Sequence, residues 1–587
     1  MARSSAVDLD TRLVYNISEM YTRPSGRIHQ ATTDKGSATL RVHLLGPLPI
    51  LRHFLGKMLF WRIVRDCLPM RRNGLLDHAE TLSLLVLNII MSPAPLYRIA
   101  EWAQPYSPGA LGISEAQMEA INDDRVARTL DALASPSARN LFFRLALHVI
   151  KAFEIDTRRI HHDTTSVTFH GQYATSRSDP RITRGRNKDH RPDLKQLVFG
   201  LNISADGAVP VSHQVLSGNR SDNVVHQSNV EELRKLLGRD DFIYVADSKL
   251  CTRKNMKQID DYGGKFVTIL PRTRGEFKQF SAPILDGARP RWRRLLVLPN
   301  PPRGAQPEVY WTTAQEPTRT SDGYRIVWCR SSQKRALDAQ MRRTAVVKAE
   351  AELQQLGLRI NRGKLRHQSN IAASAATVLK RHRCRGLLNV VVGFTMTTAK
   401  KYTRRGRPKK IDPGQQVRRR VYHLRISRNQ AALDAESRLD GVFPLVTNLP
   451  PQQAAKQEIL LIYKYQPYVE KRHSLFKSEL EVAPVYMKKP SRCIALIHAT
   501  FLAMVLDALI ERTIRFAMVQ HNVTSLPILP EGRHTKTPTT ARILEMFSGI
   551  SRFQFEADDE KVAFPVRLTG LQKELLHLLD IPSSVYA

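Results

Sequence analysis

RRIHHDTTSVTFHG (158–171), LKQLVFGLNISADG (194–207) and AVPVSHQVLSG (208–218) decide the fold. Each run is rich in β-branched and apolar residues, and glycine-containing turns close them, the second turn being Ala205-Asp206-Gly207. They read as three successive strands of a meander. A helical stretch follows (NVVHQSNVEELRKLLG, 223–238), then the apolar run DFIYVAD (241–247), a helix from about 252, and the strand KFVTIL (265–270). Three strands followed by helix–strand–helix–strand predict an α/β fold built on a mixed sheet.

Outward from this core the patterning changes. Residues 1–43 are polar and weakly patterned and read as an arm. From 44 to 155 apolar residues recur at helical spacing, which predicts an all-helical N-terminal domain, expected to bind DNA. Asn122 ahead of Asp123-Asp124 has the chemistry of a helix N-terminus. After Pro271 the α/β order stops. Short strands are expected over 272–330, long basic helices over 331–383, and strands again at LLNVVVGFTM (387–396) and VRRRVYHLRI (417–426). GVFPLVTNL (441–449) resumes the interrupted fold. The expected division is 1–43, 44–155, 156–271, an insertion over 272–438, 439–515, and a helical C-terminal region over 516–587. The apolar run Ile494–Ile510 contains His498 and Asp507 and is shorter than the ~20 residues that cross a bilayer, so it reads as a buried helix and no membrane is expected.

The 587 residues carry a net charge of +36 and a pI near 10.3. A catalyst for small neutral metabolites has no use for such self-repulsion, whereas a polyanion relieves it. The charge is concentrated: residues 331–430 hold 25 Lys and Arg against 4 Asp and Glu, so +21 of the +36 lies in one hundred residues. That is the electrostatic footprint of a nucleic-acid partner. Five scattered cysteines without a C-x-x-C pair read as reduced thiols, and a cytoplasmic location is expected.

Three acids stand out against this basic background. Asp163 lies in a strand-like run after His161-His162, where a carboxylate is disfavoured and costly to bury without a partner. Asp247 ends the fourth strand-like run, at the carboxyl edge where open α/β sheets place ligands. Glu470 lies in PYVEKRHSLFKSELEVAP, a helix opened by Pro467 and closed before Pro484, on a stripe with His473, Ser474 and Lys477. Singly, each reads equally well as a turn residue, a helix cap or a surface acid. Together they form an oxygen donor set for two Mg²⁺ ions, which clamp the attacking and leaving oxygens of an in-line phosphoryl displacement. Asp189 and Asp193, in the charged loop RGRNKDHRPDLKQ (184–196), compete with Asp163 but lack its apolar strand context. His161 and His162 read as packing or supporting residues beside such a site.

The passages IHHDTTSVTFHGQY, YVADSKL and YKYQPYVEKRHSLFKSELEVAP, with DGVFPLVTNL before the last, resemble the DDE-type transposases of bacterial insertion sequences. The likeness is to the long-insertion branch of the group whose third acid lies in a Tyr-x2-Arg-x3-Glu-x6-Lys signature. It runs from about residue 43 to 550. The resemblance implies an RNase H-like mixed-sheet catalytic core interrupted by a long basic α+β insertion. In that core Asp163 stands on the first strand, Asp247 at the end of the fourth and Glu470 on a late helix. All three are implied as catalytic residues and ligands of two Mg²⁺ ions, for which Mn²⁺ substitutes. Tyr463 and Lys477 match the signature as DNA-contacting residues, whereas its Arg position is Gln466; Arg472 or Lys471 is the nearest candidate to compensate. The implied activity is cleavage at element ends and strand transfer into double-stranded target DNA by a homodimeric synaptic complex. An RNase H-like nuclease that does not join, or a decayed copy that only binds DNA, stays open. Arg405-Gly406-Arg407-Pro408-Lys409-Lys410 resembles an AT-hook, so Arg405, Arg407, Lys409 and Lys410 are further DNA-binding candidates. Trp292, Trp311 and Trp328 are candidates for stacking on an unpaired base.

Overall fold

In a computed structural model, the described residues are 29–587 except 34–35, 71–73, 94, 137, 172, 174–179, 189–190, 221, 299–305, 402–414, 481–486 and 558–559. The chain divides into two compact units, 1–265 with 464–587 and 266–463, the second inserted into the first.

Unit one opens with a hairpin, β1 (His29–Thr33) and β2 (Gly36–Leu44), where the sequence reading had an unpatterned arm. Helices follow: α1 (Leu48–Lys57), α2 (Phe60–Cys67), α3 (His78–Met91), α4 (Asp123–Leu133) and α5 (Ala138–Ala152). Asn122 caps α4 as its sequence predicts, accepting from the Arg125 N–H at 2.8 Å. The meander is next, as β3 (Arg159–Phe169), β4 (Lys195–Ser204) and β5 (Pro210–Ser217). After α6 (Asp222–Leu237) comes the short β6 (Ile243–Val245), then α7 (Arg253–Asp261). The strand order is β5-β4-β3-β6. β3 and β4 pair antiparallel over ten residues, while β6 lies parallel to β3, so the sheet is mixed as expected. This third–second–first–fourth order is that of an RNase H-like core.

Unit two has a sheet of its own strands in the order β7 (Lys265–Ile269), then Val442–Thr447, Arg325–Ser331, Glu308–Thr313 and Arg293–Leu298. In chain order the last three are β8 (Arg293–Leu298), β9 (Glu308–Thr313) and β10 (Arg325–Ser331). This unit is wider than the expected insertion, because β8–β10 extend the sheet of β7 rather than starting a new one. Helix α8 (Gly275–Leu285) fills part of the span read as strands only. Its Phe277 and Phe280 pack on Trp328, a tertiary contact with no local signature. Helices α9 (Ser332–Arg359) and α10 (Gln368–Arg381) then pack on the base of a long two-stranded ribbon, β11 (Leu388–Lys401) and β12 (Gln415–Arg428). α11 (Gln430–Ser437), β13 (Val442–Thr447) and α12 (Lys456–Tyr463) complete the unit.

The chain re-enters unit one with α13 (Pro467–Ser474), which runs directly into a π-helical turn, Leu475–Glu479. The 31-residue α14 (Pro490–Gln520) is the central core helix; Ile497, Phe501, Met504, Leu506 and Ile510 are all buried. It is long and apolar enough to cross a membrane, but its apolar surface is spent on α3, α4 and β5. The N-terminal helices therefore share one core with α14 instead of forming a separate domain. β14 (Leu526–Leu529) and β15 (Arg533–Thr535) pair with each other. β16 (Ser551–Ala557) and β17 (Glu560–Ala563) continue the sheet of β1 and β2, so the C-terminal region is not purely helical. Phe553 and Phe555 of β16 and Leu40 and Val42 of β2 alternate with polar residues, but the partners are some 500 residues apart and leave no local pairing signal.

Candidate active site

Asp163 stands near the middle of β3 with its side chain 23% exposed. The parallel register pairs His161 with Val245. Two residues beyond this pair lie Asp163 on β3 and Asp247 past the end of β6. Pairing stops at Val245, and Asp247 begins a turn in which its Oδ1 accepts the Lys249 N–H at 2.9 Å. The period of two also assigns the faces. His161, Asp163, Val245 and Asp247 share one; His162 and Tyr244 share the other, with Asn202, His226 and Asn229 in a buried polar network. Burial holds His161 and His162 neutral, each with a pKa lowered to about 4.

Glu470 comes from α13, the helix the sequence predicts, opened by Pro467 at its first turn. The preceding residue, Gln466, ties it to β3. Its Nε2 donates to the His162 carbonyl at 2.8 Å, and its Oε1 lies 3.0 Å from His161 Nδ1, which therefore donates. At 6% exposure Gln466 is a buried clamp, not a DNA contact. The rest of α13 docks through Val469, His473 and Phe476, with Phe476 stacked on Phe199 of β4 at 4.3 Å. His473 is buried, so it does not share an exposed stripe with Glu470 and Ser474 as the sequence suggested. Its imidazole packs edge-on against Phe199, and burial lowers its pKa to about 4, so the ring is neutral.

Lys188 is the part of the site that sequence reading missed. Its Nζ lies 3.3 Å from Asp163 Oδ1 and 3.0 Å from Thr164 Oγ1, and also donates to the Thr164 carbonyl. Its backbone N–H is anchored on Ser166 Oγ at 3.2 Å. The Glu470 carboxyl is pushed above the ordinary range by partial burial first and by the Asp163 charge second, with Lys188 pulling the other way. Asp163 and Glu470 thus feel each other's charge, and the Lys188 ammonium opposes it. Asp247 and Asp163 both raise the buried Tyr244 hydroxyl, whose main cause is desolvation. The three acids do not close into a cage: among the described residues no group of three or more His, Cys, Asp and Glu is placed to hold one ion. The donor set still fits Mg²⁺, which is held by one or two carboxylates, water and substrate phosphate oxygens.

The remaining candidates scatter. Lys477 is half-buried in the π-helical turn of unit one, and Tyr463 is half-buried at the end of α12 in unit two. Arg472 is no substitute for the missing signature Arg: it is buried, 2.6 Å from Asp507 Oδ2 and 3.1 Å from Glu511 Oε2. Lys471 is exposed, over the Tyr468 ring at 4.7 Å. Asp193, a competing candidate, is exposed and pairs with Arg191 at 2.8 Å. Arg405, Arg407, Lys409 and Lys410, with Asp189, lie outside the described residues. Trp328 is fully buried, stacked on Phe280 with its indole N–H on the Pro317 carbonyl, and is unavailable to a base. Trp292 and Trp311 are half-buried.

Residues 40–147 match the model of a domain of unknown function, DUF4277. The chain matches no curated protein. Among solved structures it is similar to a piggyBac transposase synaptic complex with hairpin DNA, at 9% identity and a TM-score of 0.26 over 81% of this chain and 83% of that one. It is also similar to the Mos1 mariner paired end complex with Mn, at 14% identity, and to a pre-cleavage Mos1 transpososome, at 12%. Both have a TM-score of 0.14 over 34% of this chain and 60% of theirs. Likenesses this distant do not bear on what the chain does.

Proposed function

We propose that the chain is a DDE-type DNA transposase that cleaves DNA at the ends of an insertion sequence and joins them to target DNA. The observation that supports this reading is the parallel pairing of β3 with β6, the strand that carries Asp163 beside the strand that Asp247 follows, with the helix of Glu470 tied to β3 through Gln466. Asp163, Asp247 and Glu470 would hold two Mg²⁺ ions, or Mn²⁺ in their place. Bound there, such ions activate the attacking oxygen and stabilise the leaving one. The chain's own residues prepare that chemistry. Gln466 fixes the helix carrying Glu470, and the neutral His161 and His162 add no positive charge beside the acids.

In the first step a water oxygen bonds to the end phosphorus as the P–O3′ bond breaks, freeing a 3′-hydroxyl. In the second, that hydroxyl oxygen bonds to a target phosphorus and displaces the target's own 3′ oxygen. Both are phosphoryl transfers at one site without a protein–DNA bond. Two ends must meet, which favours a homodimer. The deciding experiment incubates the protein with Mg²⁺, an end duplex and target plasmid. Joined product is expected; cuts without joining identify a nuclease instead. Asp247→Asn should retain duplex binding while cleavage falls by about 10²–10³-fold or more. An equally active variant overturns the assignment.

A further inference from the structure

The ribbon β11–β12 of unit two is built unlike the rest of the molecule. Fourteen residue pairs join two strands, and among the described residues no third strand pairs with either. Its base is anchored, because Leu388, Val390, Leu424 and Ile426 pack on α9 and α10. Beyond Gly393 both faces are open: residues 394–401 and 415–420 are all exposed. Phe394 at 44% and Met396 at 53% are held out in solvent. A two-stranded ribbon is at best marginally stable in water by itself, so this shape asks for a partner.

The partner's chemistry follows from charge and width. Neither strand contains an Asp or Glu, and the distal half carries Lys400, Lys401, Arg418, Arg419 and Arg420. A second copy of the ribbon is disfavoured by its own charge; a polyanion is required. Strand pairing puts Thr398 opposite Arg418, Met396 opposite Arg420 and Lys400 opposite Gln416, all on the face that Phe394 shares. Arg, Gln and Thr hydrogen-bond to base edges, and apolar side chains meet the thymine methyl group. Arg419 and Lys401 project from the opposite face, where a groove wall offers phosphates. The distal seven pairs are about 24 Å long at ~3.4 Å per residue, and a two-stranded ribbon fits the ~12 Å major groove of B-form DNA.

We propose that the distal half of β11–β12 is a DNA-reading arm that lies in the major groove of a duplex, with the Thr398, Gln416, Arg418 and Arg420 face toward the bases. The inference rests on duplex DNA being the partner and is independent of the cutting chemistry. Binding of a 30-base-pair duplex by the full chain in EDTA tests it. The triple variant Arg418→Ala, Arg419→Ala, Arg420→Ala should bind about 10²-fold more weakly, and Arg419→Ala alone should make the log–log salt slope shallower by about 0.9. Duplex with glucosylated major-groove cytosines should bind weakly. Netropsin, which fills the minor groove, should not compete, nor should A-form RNA, whose major groove is too narrow to enter. Trypsin cleavage after Arg418–Arg420 in the parent protein should be suppressed by DNA, which reads ribbon occupancy without any substitution. Unchanged affinity of the triple variant with unprotected trypsin sites overturns the arm. Displacement by netropsin, with glucosylation tolerated, overturns the major-groove placement. If the parent chain binds no duplex at all, the transposase reading fails with it.

Discussion

At the residue scale, the least obvious side chain is Gln466. The signature that the chain resembles has Arg there, but in this fold the position is buried and must both donate to the His162 carbonyl and accept from His161 Nδ1. Arginine has no acceptor. Gln466→Arg is therefore expected to lower stability by roughly 2–4 kcal/mol, from a buried charge and an orphaned imidazole N–H, without improving DNA affinity. Urea unfolding and duplex binding read this out together, and a stable variant with tighter binding refutes it. Lys188 makes a second prediction. Its ammonium stands on Asp163 and lowers the Glu470 carboxyl, so Lys188→Met should raise Mn²⁺ affinity about tenfold by titration calorimetry, about 1.4 kcal/mol. Equal or weaker affinity means that the lysine does not compete with the ion. The strand of Asp163 and the helix of Glu470 were legible, the first because a carboxylate is anomalous in an apolar strand and the second because Pro467 opens it. Lys188 was not, since a lysine in a loop of alternating charge is what loops contain, and only the fold brings it 25 residues back onto Asp163.

At the element scale, α13 and α14 are joined by a buried ion cluster. Arg472 meets Asp507 and Glu511, and it also donates to the carbonyls of Ala208 and Gly207 at the β4–β5 turn. Gly207 has φ +74° there, and a Cβ would stand 2.6 Å from Arg512 Cγ, so the turn admits the helix only without a side chain. Burial drives the Asp507 pKa up to about 6 in spite of its ion pair, so desolvation wins. Asp507→Asn strips Arg472 of its main counter-charge and should cost roughly 3–5 kcal/mol in chemical denaturation. A loss below about 1 kcal/mol shows that Glu511 alone suffices. α14 was legible as a buried helix because its apolar run is long and interrupted by Asp507. The strands β3–β6 were legible from period and turns. The pairing of β2 with β16 was not, because partners some 500 residues apart leave nothing local to fix their register.

At the scale of the whole molecule, the +36 charge predicts steep salt dependence of binding, and buried histidines predict acid lability. His161, His162, His473 and His498 are each lowered to about 4 by burial. The unfolded chain binds their protons near pH 6.5, so the stability they contribute is complete above that pH and is lost as pH falls toward 4. All four act in the same direction across that window, and His162 and His473 also feel each other's charge, so their losses are coupled. The thermal midpoint should hold from pH 8 to 7 and drop steeply below 6.5; a flat profile to pH 5 contradicts the burial of these rings. The broad division into an α/β core and a basic insertion was legible from charge and period. Its edges were not, because β8–β10 belong by hydrogen bonding to the sheet of β7 and only by composition to the basic stretch.

The insertion of one unit within the other has a consequence in time. A ribosome that has made β6, and with it Asp247, must still synthesise residues 266–463 before Glu470 exists, and α14 later still. At about 5–20 residues per second that interval is roughly 10–40 s. Throughout it, the apolar faces of α3 and α4 lack the helix that will cover them. A message cut short before residue 470 yields a chain without α14, so unit one is left with no helix to fill its core while all of unit two has already been made.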